Sequence, residues 1–206
     1  MDPHPLPLHL LVEGRRCVVV GGGREALHKT RLLLGSGATV AIYNPGALDP
    51  ALRRLARQNR IPHIRRWAAP ADLRDSWMTF HTEPGLDPRI TALSNAALRN
   101  RWLFSATDAP ALSTIVMPAI ARKGLLQVAV GTGNASPATA VRIRDAIADA
   151  AGPEFTAHLR RLARLRRRVR RGIPDAEERK EAMRRASRGL RVSVRLRAPP
   201  RRRRPG

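Results

Sequence analysis

Six residues near the amino terminus, Gly21-Gly22-Gly23-Arg24-Glu25-Ala26, fit the pattern G-x-G-x-x-G/A. The chemistry such a run can do is to hold a pyrophosphate. Its first glycine permits a tight turn, its second lets the backbone approach the phosphates, and Ala26 lets a following helix pack close to the preceding strand. The unpaired N–H groups at the start of that helix then meet the anion. Taken bare the pattern is weak, and a glycine-rich turn with no ligand is the competing reading. The acidic residue that often bonds the ribose roughly 20 positions further on is missing. Tyr43 is followed instead by Asn44-Pro45-Gly46. The Asn44 carboxamide can still hydrogen-bond a ribose hydroxyl, so this residue does not settle NAD against NADP.

Asp108 is the second candidate, just after an apolar run at 103–107 and two residues before Pro110. A carboxylate at the C-terminal end of a strand stands where ligands gather in an open α/β sheet, and it can take a proton from a substrate. It can equally be an N-cap or Asx-turn residue, and the residues alone favour that reading. Arg89, Arg99, Arg101, Arg122 and Lys123 can pair with anionic groups of a ligand or simply face solvent. His63 and His81 could handle a metal, although a lone histidine is more often structural. No Cys/His cluster with ligand spacing occurs, so no stable metal site is expected. The single cysteine, Cys17, begins an apolar run, reads as a buried core thiol, and suits a reducing cytoplasm.

These residues need elements to position them. Residues 16–20 form a short β-rich apolar run, followed by the glycines and a helix over 24–34 that Gly35 and Gly37 stop. A strand is predicted at 39–43, and Asp49-Pro50 caps a helix to about Asn59. Strands follow at 77–80 and 103–107, separated by a helix that Asp87-Pro88 starts and that ends near Asn100. This alternation implies right-handed crossovers and a parallel, Rossmann-like sheet. After Asp108 the rhythm changes to two apolar runs, 115–117 and 125–130, joined by a helix-like stretch containing Arg122, Lys123 and Gly124. A turn-rich loop at 131–137 and the Ser136-Pro137 cap introduce a helix to about Ala150. A basic helix follows the Gly152-Pro153 break, with Phe155, Leu159, Leu162, Leu165 and Val169 on one face. Pro174-Asp175 starts a last helix.

The formal net charge is +23, and it is concentrated at one end. From residue 158 onward there are 20 basic and 4 acidic residues, whereas residues 1–157 hold 19 basic and 12 acidic. A basic tail favours polyanions of any kind, nucleic acid included, and an arginine-inflated composition is the bland alternative. No apolar stretch reaches the ~18 residues that cross a bilayer, so no membrane role is expected. The first residues lack a basic region and a long apolar region, and no signal peptide is expected.

The opening LPLHLLVEGRRCVVVGGGREALHKTRLLLGSGATV resembles that of the precorrin-2 dehydrogenase/sirohydrochlorin ferrochelatase family, the N-terminal module of siroheme synthases. The segment SATDAPALSTIVMPAIARKGLLQVAVGTGNASP resembles its second signature, and LARLRRRVRRGIPDAEERKEAMRRA its helical C-terminal segment. The likeness runs in order over about residues 5–187. It implies NAD-dependent oxidation of the tetrapyrrole precorrin-2 to sirohydrochlorin, with ferrous iron then inserted as a substrate in many members. It implies a homodimer, a shared aspartate matching Asp108, and cofactor-binding positions at Gly21, Gly23, Arg24, Glu25, Pro45 and Gly46, to which the residues themselves add Gly22 and Asn44. Thr132 falls where some members carry a phosphorylatable serine. The sequence departs from the family at Ser105-Ala106-Thr107, at Ile115, at Asn134 and at His81-Thr82-Glu83-Pro84. Those changes bear on substrate fit and chelation more than on the cofactor.

The expected architecture is an α/β Rossmann-like parallel sheet, a small mixed dimerisation module and a helical C-terminal segment. The expected boundaries are 1–112 for the NAD-binding domain, 113–151 for the dimerisation module, 152–188 for the helical segment and 189–206 for a disordered basic tail. Two other functions compete: a dehydrogenase without chelation, and a non-catalytic NAD-binding protein whose tail binds nucleic acid.

Overall fold

The computed structural model describes residues 5–85 and 88–197. The chain divides into two compact units. The first runs to Pro118 and includes Gly131–Ala135, and the second comprises Ala119–Val130 and the residues from Ser136 onward.

The first unit is a five-stranded, all-parallel sheet. Its strands are β1 (Arg16–Val20), β2 (Thr39–Tyr43), β3 (His63–Ile64), β4 (Met78–His81) and β5 (Leu103–Ala106), in the order β3-β2-β1-β4-β5. Alternation along the strands divides the core between two faces, since successive side chains point to opposite sides. Cys17, Val19, Val40, Ile42 and Phe80 pack with α1 (Arg24–Leu34) and α2 (Pro50–Arg57) through Ala26, Leu33 and Leu52. Val18, Val20, Tyr43 and Phe104 face the other way, onto Ile90, Leu93 and Ala97 of α3 (Pro88–Asn100). Both faces are covered, which is why these strands read as continuous apolar runs rather than alternating ones.

Local signals fix the helix starts. Asp49 Oδ1 accepts from Ala51 N–H at 2.8 Å, and Pro50 fills the first helical position. The Asp87 half of the cap predicted for α3 lies outside the described residues. Three elements have no sequence counterpart above: the two-residue strand β3, and 3-10 turns at Pro70–Leu73 and Pro110–Leu112.

In the second unit, β6 (Ala119–Lys123) and β7 (Leu126–Val130) form an antiparallel hairpin. This corrects the helix-like stretch expected around Arg122, Lys123 and Gly124. Arg122 and Lys123 lie on β6, and Gly124 takes φ +60° in a two-residue turn, where glycine carries no Cβ penalty. The run at 115–117 is not a strand, although Ile115 N–H donates to the Phe104 carbonyl at 3.2 Å, and the strand begins at Ala119. Helix α4 (Pro137–Ala150) packs on the hairpin, with Ser136 Oγ accepting from Thr139 N–H at 3.2 Å. Helices α5 (Pro153–Gly172) and α6 (Ala176–Ser187) pack on each other. Asp175 caps α6 by accepting from Glu178 N–H at 2.7 Å. Of the expected tail, 191–197 has no regular structure and is exposed, while 198–206 lies outside the described residues. Among the described residues no helix is long and apolar enough to cross a membrane.

Candidate nucleotide site

Strand β1 lies between β2 and β4, so the chain leaves its C-terminal end at the point where the strand order reverses. That crevice is where open α/β sheets bind ligands. Gly21 N–H donates to the Tyr43 carbonyl at 2.9 Å, carrying the β1–β2 pairing one residue beyond the sheet. The three glycines then meet three different surroundings. Gly21 has φ +124°, and a Cβ there would come within 2.5 Å of Glu83 Oε1. A Cβ at Gly22 would strike the Asn44 carboxamide and stand 2.8 Å from the Ala47 carbonyl. A Cβ at Gly23 would meet no further part of the fold within 4 Å, and its φ of −86° is open to any residue.

Gly23 is also the N-cap of α1, and no side chain caps that helix. The first intrahelical bond runs from Leu27 N–H to the Gly23 carbonyl at 3.1 Å. The N–H groups of the turn before it therefore have no partner within the helix. A glycine with no internal steric reason, exposed at an uncapped helix start, fits the close approach of a phosphate. The residues present thus fit a dinucleotide on this geometry.

The other predicted site residues take distinct places. Arg24 is exposed on the first turn of α1, while Glu25 pairs with Lys29 at 3.0 Å. Pro45 and Gly46 are exposed after β2. Asn44 is only 6% exposed, and its Nδ2 donates to the Ala47 carbonyl at 3.1 Å. Its side chain therefore shapes the loop beneath Gly22 instead of reaching outward. His63 Nε2 lies 2.9 Å from the Asn44 carbonyl oxygen, so it braces the same loop. Among the described residues no group of three or more His, Cys, Asp or Glu could hold a metal.

Asp108 stands two residues beyond β5, at the same C-terminal edge of the sheet. With β4 lying between β1 and β5, it is two strand spacings from the glycines, roughly 10 Å across the sheet. It is exposed with φ +56°, and Thr107 N–H donates to the His81 carbonyl at 2.9 Å beside it. The N-cap of the following 3-10 turn (Pro110–Leu112) is Ala109, and among the described residues Asp108 caps nothing.

The candidate cations lie on different elements. Arg89 stacks on Trp67 at 4.4 Å, Arg99 and Arg101 are exposed around the end of α3, and Arg122 and Lys123 belong to the second unit. Lys123 lies 3.8 Å from Asp149.

One residue at the site was not singled out in the sequence. Gly22 N–H donates to Glu83 Oε1 at 3.0 Å, which places a carboxylate on the glycine turn. Its signal lies in the strand order: β4 neighbours β1, with Val20 opposite His81, so an acid two residues later falls beside the glycines.

Comparisons with known proteins agree with this geometry. The family model described as "Putative NAD(P)-binding" matches residues 8–119. The chain is similar to the siroheme synthase of Pseudomonas entomophila, 35% identical over 178 residues that cover 85% of this chain and 37% of that protein. It is 33% identical over 184 residues to the siroheme synthase of Gluconobacter oxydans, covering 84% and 37%. The chain thus spans little more than a third of the length of these relatives. Among solved structures it is similar in fold to SirC, a precorrin-2 dehydrogenase, with a TM-score of 0.66 and 20% identity over 85% of this chain and 86% of that one.

Proposed function

We propose that this chain, which belongs to the NAD(P)-binding family, is a dehydrogenase that oxidises precorrin-2 to sirohydrochlorin with a pyridine dinucleotide. One observation carries the reading: the open face of Gly23 beside an uncapped helix start, at the switch point of a parallel sheet. The choice of substrate is supported by the likeness to siroheme synthases over 85% of the chain.

The amides of Gly23 and Arg24 would hold the pyrophosphate, joined by that of Gly22 where Glu83 is displaced, while Gly21, whose N–H bonds the Tyr43 carbonyl, shapes the turn and the backbone at Pro45 and Gly46 would hold the ribose. Glu25 contributes through Lys29, whose ammonium it keeps on α1. A dinucleotide held there would supply the hydride acceptor. Oxidation of the macrocycle also releases a proton, which the exposed Asp108 carboxylate would take and pass to solvent. With ferrous iron as a second substrate, the same carboxylate would receive pyrrole protons as the metal enters. The departures at Ser105, Ala106 and Thr107 lie on the approach to this residue.

The second unit supports a homodimer. Among the described residues its buried apolar side chains are Val128, Ala140 and Ala148, while Leu125 and Val141 stay exposed. A hairpin and helix with so little interior gain most from covering that face with another copy. The basic C-terminal residues would give salt-sensitive, sequence-independent affinity for nucleic acid.

The test is anaerobic incubation of the protein with precorrin-2 and NAD or NADP, following the change in absorption, with ferrous iron added afterwards. Dehydrogenation without iron insertion leaves the dehydrogenase alone. Absence of both, with the dinucleotide still bound, turns the reading to a nucleotide-binding protein without this activity.

A further inference from the structure

The cleft beside the β2–α2 loop has a chemistry that the dinucleotide reading leaves unused. It measures about 1050 Å³ and runs from Pro45 and Gly46 along α2 to the edge strand β3. Arg53 and Arg57 of α2 line it together with His63 of β3 and the adjoining Arg65, and no acidic residue lines it. All three guanidinium groups belong to exposed residues. Arg53 is tethered at the mouth, its Nη2 donating to the Leu48 carbonyl at 3.3 Å. Arg65 follows β3 at the C-terminal edge of the sheet. Among the described residues neither Arg57 nor Arg65 pairs with a carboxylate.

The mouth of this cleft is the loop that would receive the adenosine ribose. In sites of this class an acid after the second strand bonds the 2′-hydroxyl and repels a phosphate there, whereas a nearby arginine accommodates the phosphate. Here the acid is replaced by Asn44, and that carboxamide is turned inward to the Ala47 carbonyl. A 2′-phosphate would thus meet no negative charge at the ribose position, and it would face planar, bidentate donors. Resting on the dinucleotide reading, we propose that this cleft is a 2′-phosphate subsite, with Arg53 and Arg65 as its principal ligands and Arg57 deeper in the field. NADP is then bound more tightly than NAD.

Calorimetric titration of the full chain with NADP and with NAD tests this directly. Two charge-assisted contacts predict NADP tighter by roughly tenfold or more at low salt, with the gap narrowing as salt rises. In Arg53→Ala/Arg65→Ala the ratio of the two affinities should fall to about one. Arg65→Ala alone, which leaves the Arg53 tether to the loop intact, should give an intermediate ratio. Equal affinities in the wild type, tighter NAD, or a gap that survives in the double variant each overturn the subsite while leaving nucleotide binding in place. Failure of both dinucleotides to bind the folded wild type overturns the subsite together with the reading on which it rests.

Discussion

The backbone N–H of Gly22 donates to Glu83 Oε1 at 3.0 Å, so an internal carboxylate sits on the turn that would receive a pyrophosphate. The contact joins the ends of two neighbouring parallel strands, β1 and β4, across 61 residues of chain. An anionic ligand must either displace Glu83 or accept its repulsion. Glu83→Gln keeps the length and an acceptor oxygen but removes the charge. It should tighten dinucleotide binding by roughly tenfold, about 1.4 kcal/mol, with the effect weakening at high salt. Titration of both proteins reads this. Unchanged or weaker binding would mean that the carboxylate holds the turn in its binding shape.

Gly22 and Gly23 should respond in opposite ways to substitution. Gly22→Ala drives a methyl group into the Asn44 carboxamide and the Ala47 carbonyl, and it should cost about 1–3 kcal/mol of stability. Gly23→Asp places its Cβ in open space and meets no backbone restriction. A side chain and a negative charge there should leave the melting temperature nearly unchanged while abolishing NAD(P) binding. Thermal melts and titration of the two variants separate a structural glycine from one kept open for a ligand.

Much of this was legible in the sequence because local signals and long-range packing agree. The apolar runs of β1, β2 and β5, the Asp49 and Ser136 caps and the glycine pattern each carry their meaning within a few residues. What escaped depends on neighbours distant in sequence. Strand β3 is two residues long after a proline, and only its pairing with Ile42 and Tyr43 makes it a strand. The inward turn of Asn44 needs the Ala47 carbonyl and the close passage of Gly22. The hairpin at Gly124 was missed because its apolar run was short and a basic pair reads as a helix surface. Glu83 became visible only once β4 was known to lie beside β1.

Asp72 ties the β3–β4 connection together through charge. Its oxygens accept from Arg66 Nη1 and Nη2, each at 2.7 Å, and from Ala69 N–H at 2.7 Å. The Arg66 guanidinium, then the Ala69 amide, hold its pKa down to about 2 from an ordinary 3.8. A carboxylate depressed on folding stabilises the native state above its unfolded pKa, and that contribution fades as the pH falls from about 4 towards 2. Asp72→Asn should therefore cost about 1–2 kcal/mol at neutral pH. In melts taken across the acid range, the difference from wild type should shrink below pH 4. A pH-independent difference would assign the effect to packing.

Cys17 offers a check on the core itself. It is fully buried on β1, and burial pushes its thiol up to about 11. The thiolate is the reactive form, so the native protein should resist disulfide-exchange reagents at neutral pH and react rapidly once denatured. Fast labelling of the native chain would mean that the central strand opens.

Asp108 carries the enzymatic reading, and its backbone makes the decisive variant available. Its φ of +56° is one that aspartate, asparagine and glycine tolerate and alanine does not, so Asp108→Ala confounds strain of about 1 kcal/mol with loss of the carboxylate. Asp108→Asn keeps the left-handed turn and the size but cannot take a proton. Asp108→Gly relieves the turn and should raise the melting temperature slightly. If the carboxylate is the proton acceptor, both variants should stay folded and bind NAD(P) as the wild type does. Both should lose precorrin-2 oxidation by roughly 100- to 10,000-fold in kcat. A turn residue predicts the reverse pattern, with activity kept in both and stability the only quantity that moves. Among the described residues its side chain caps no helix, which is why the chemical outcome is the one expected.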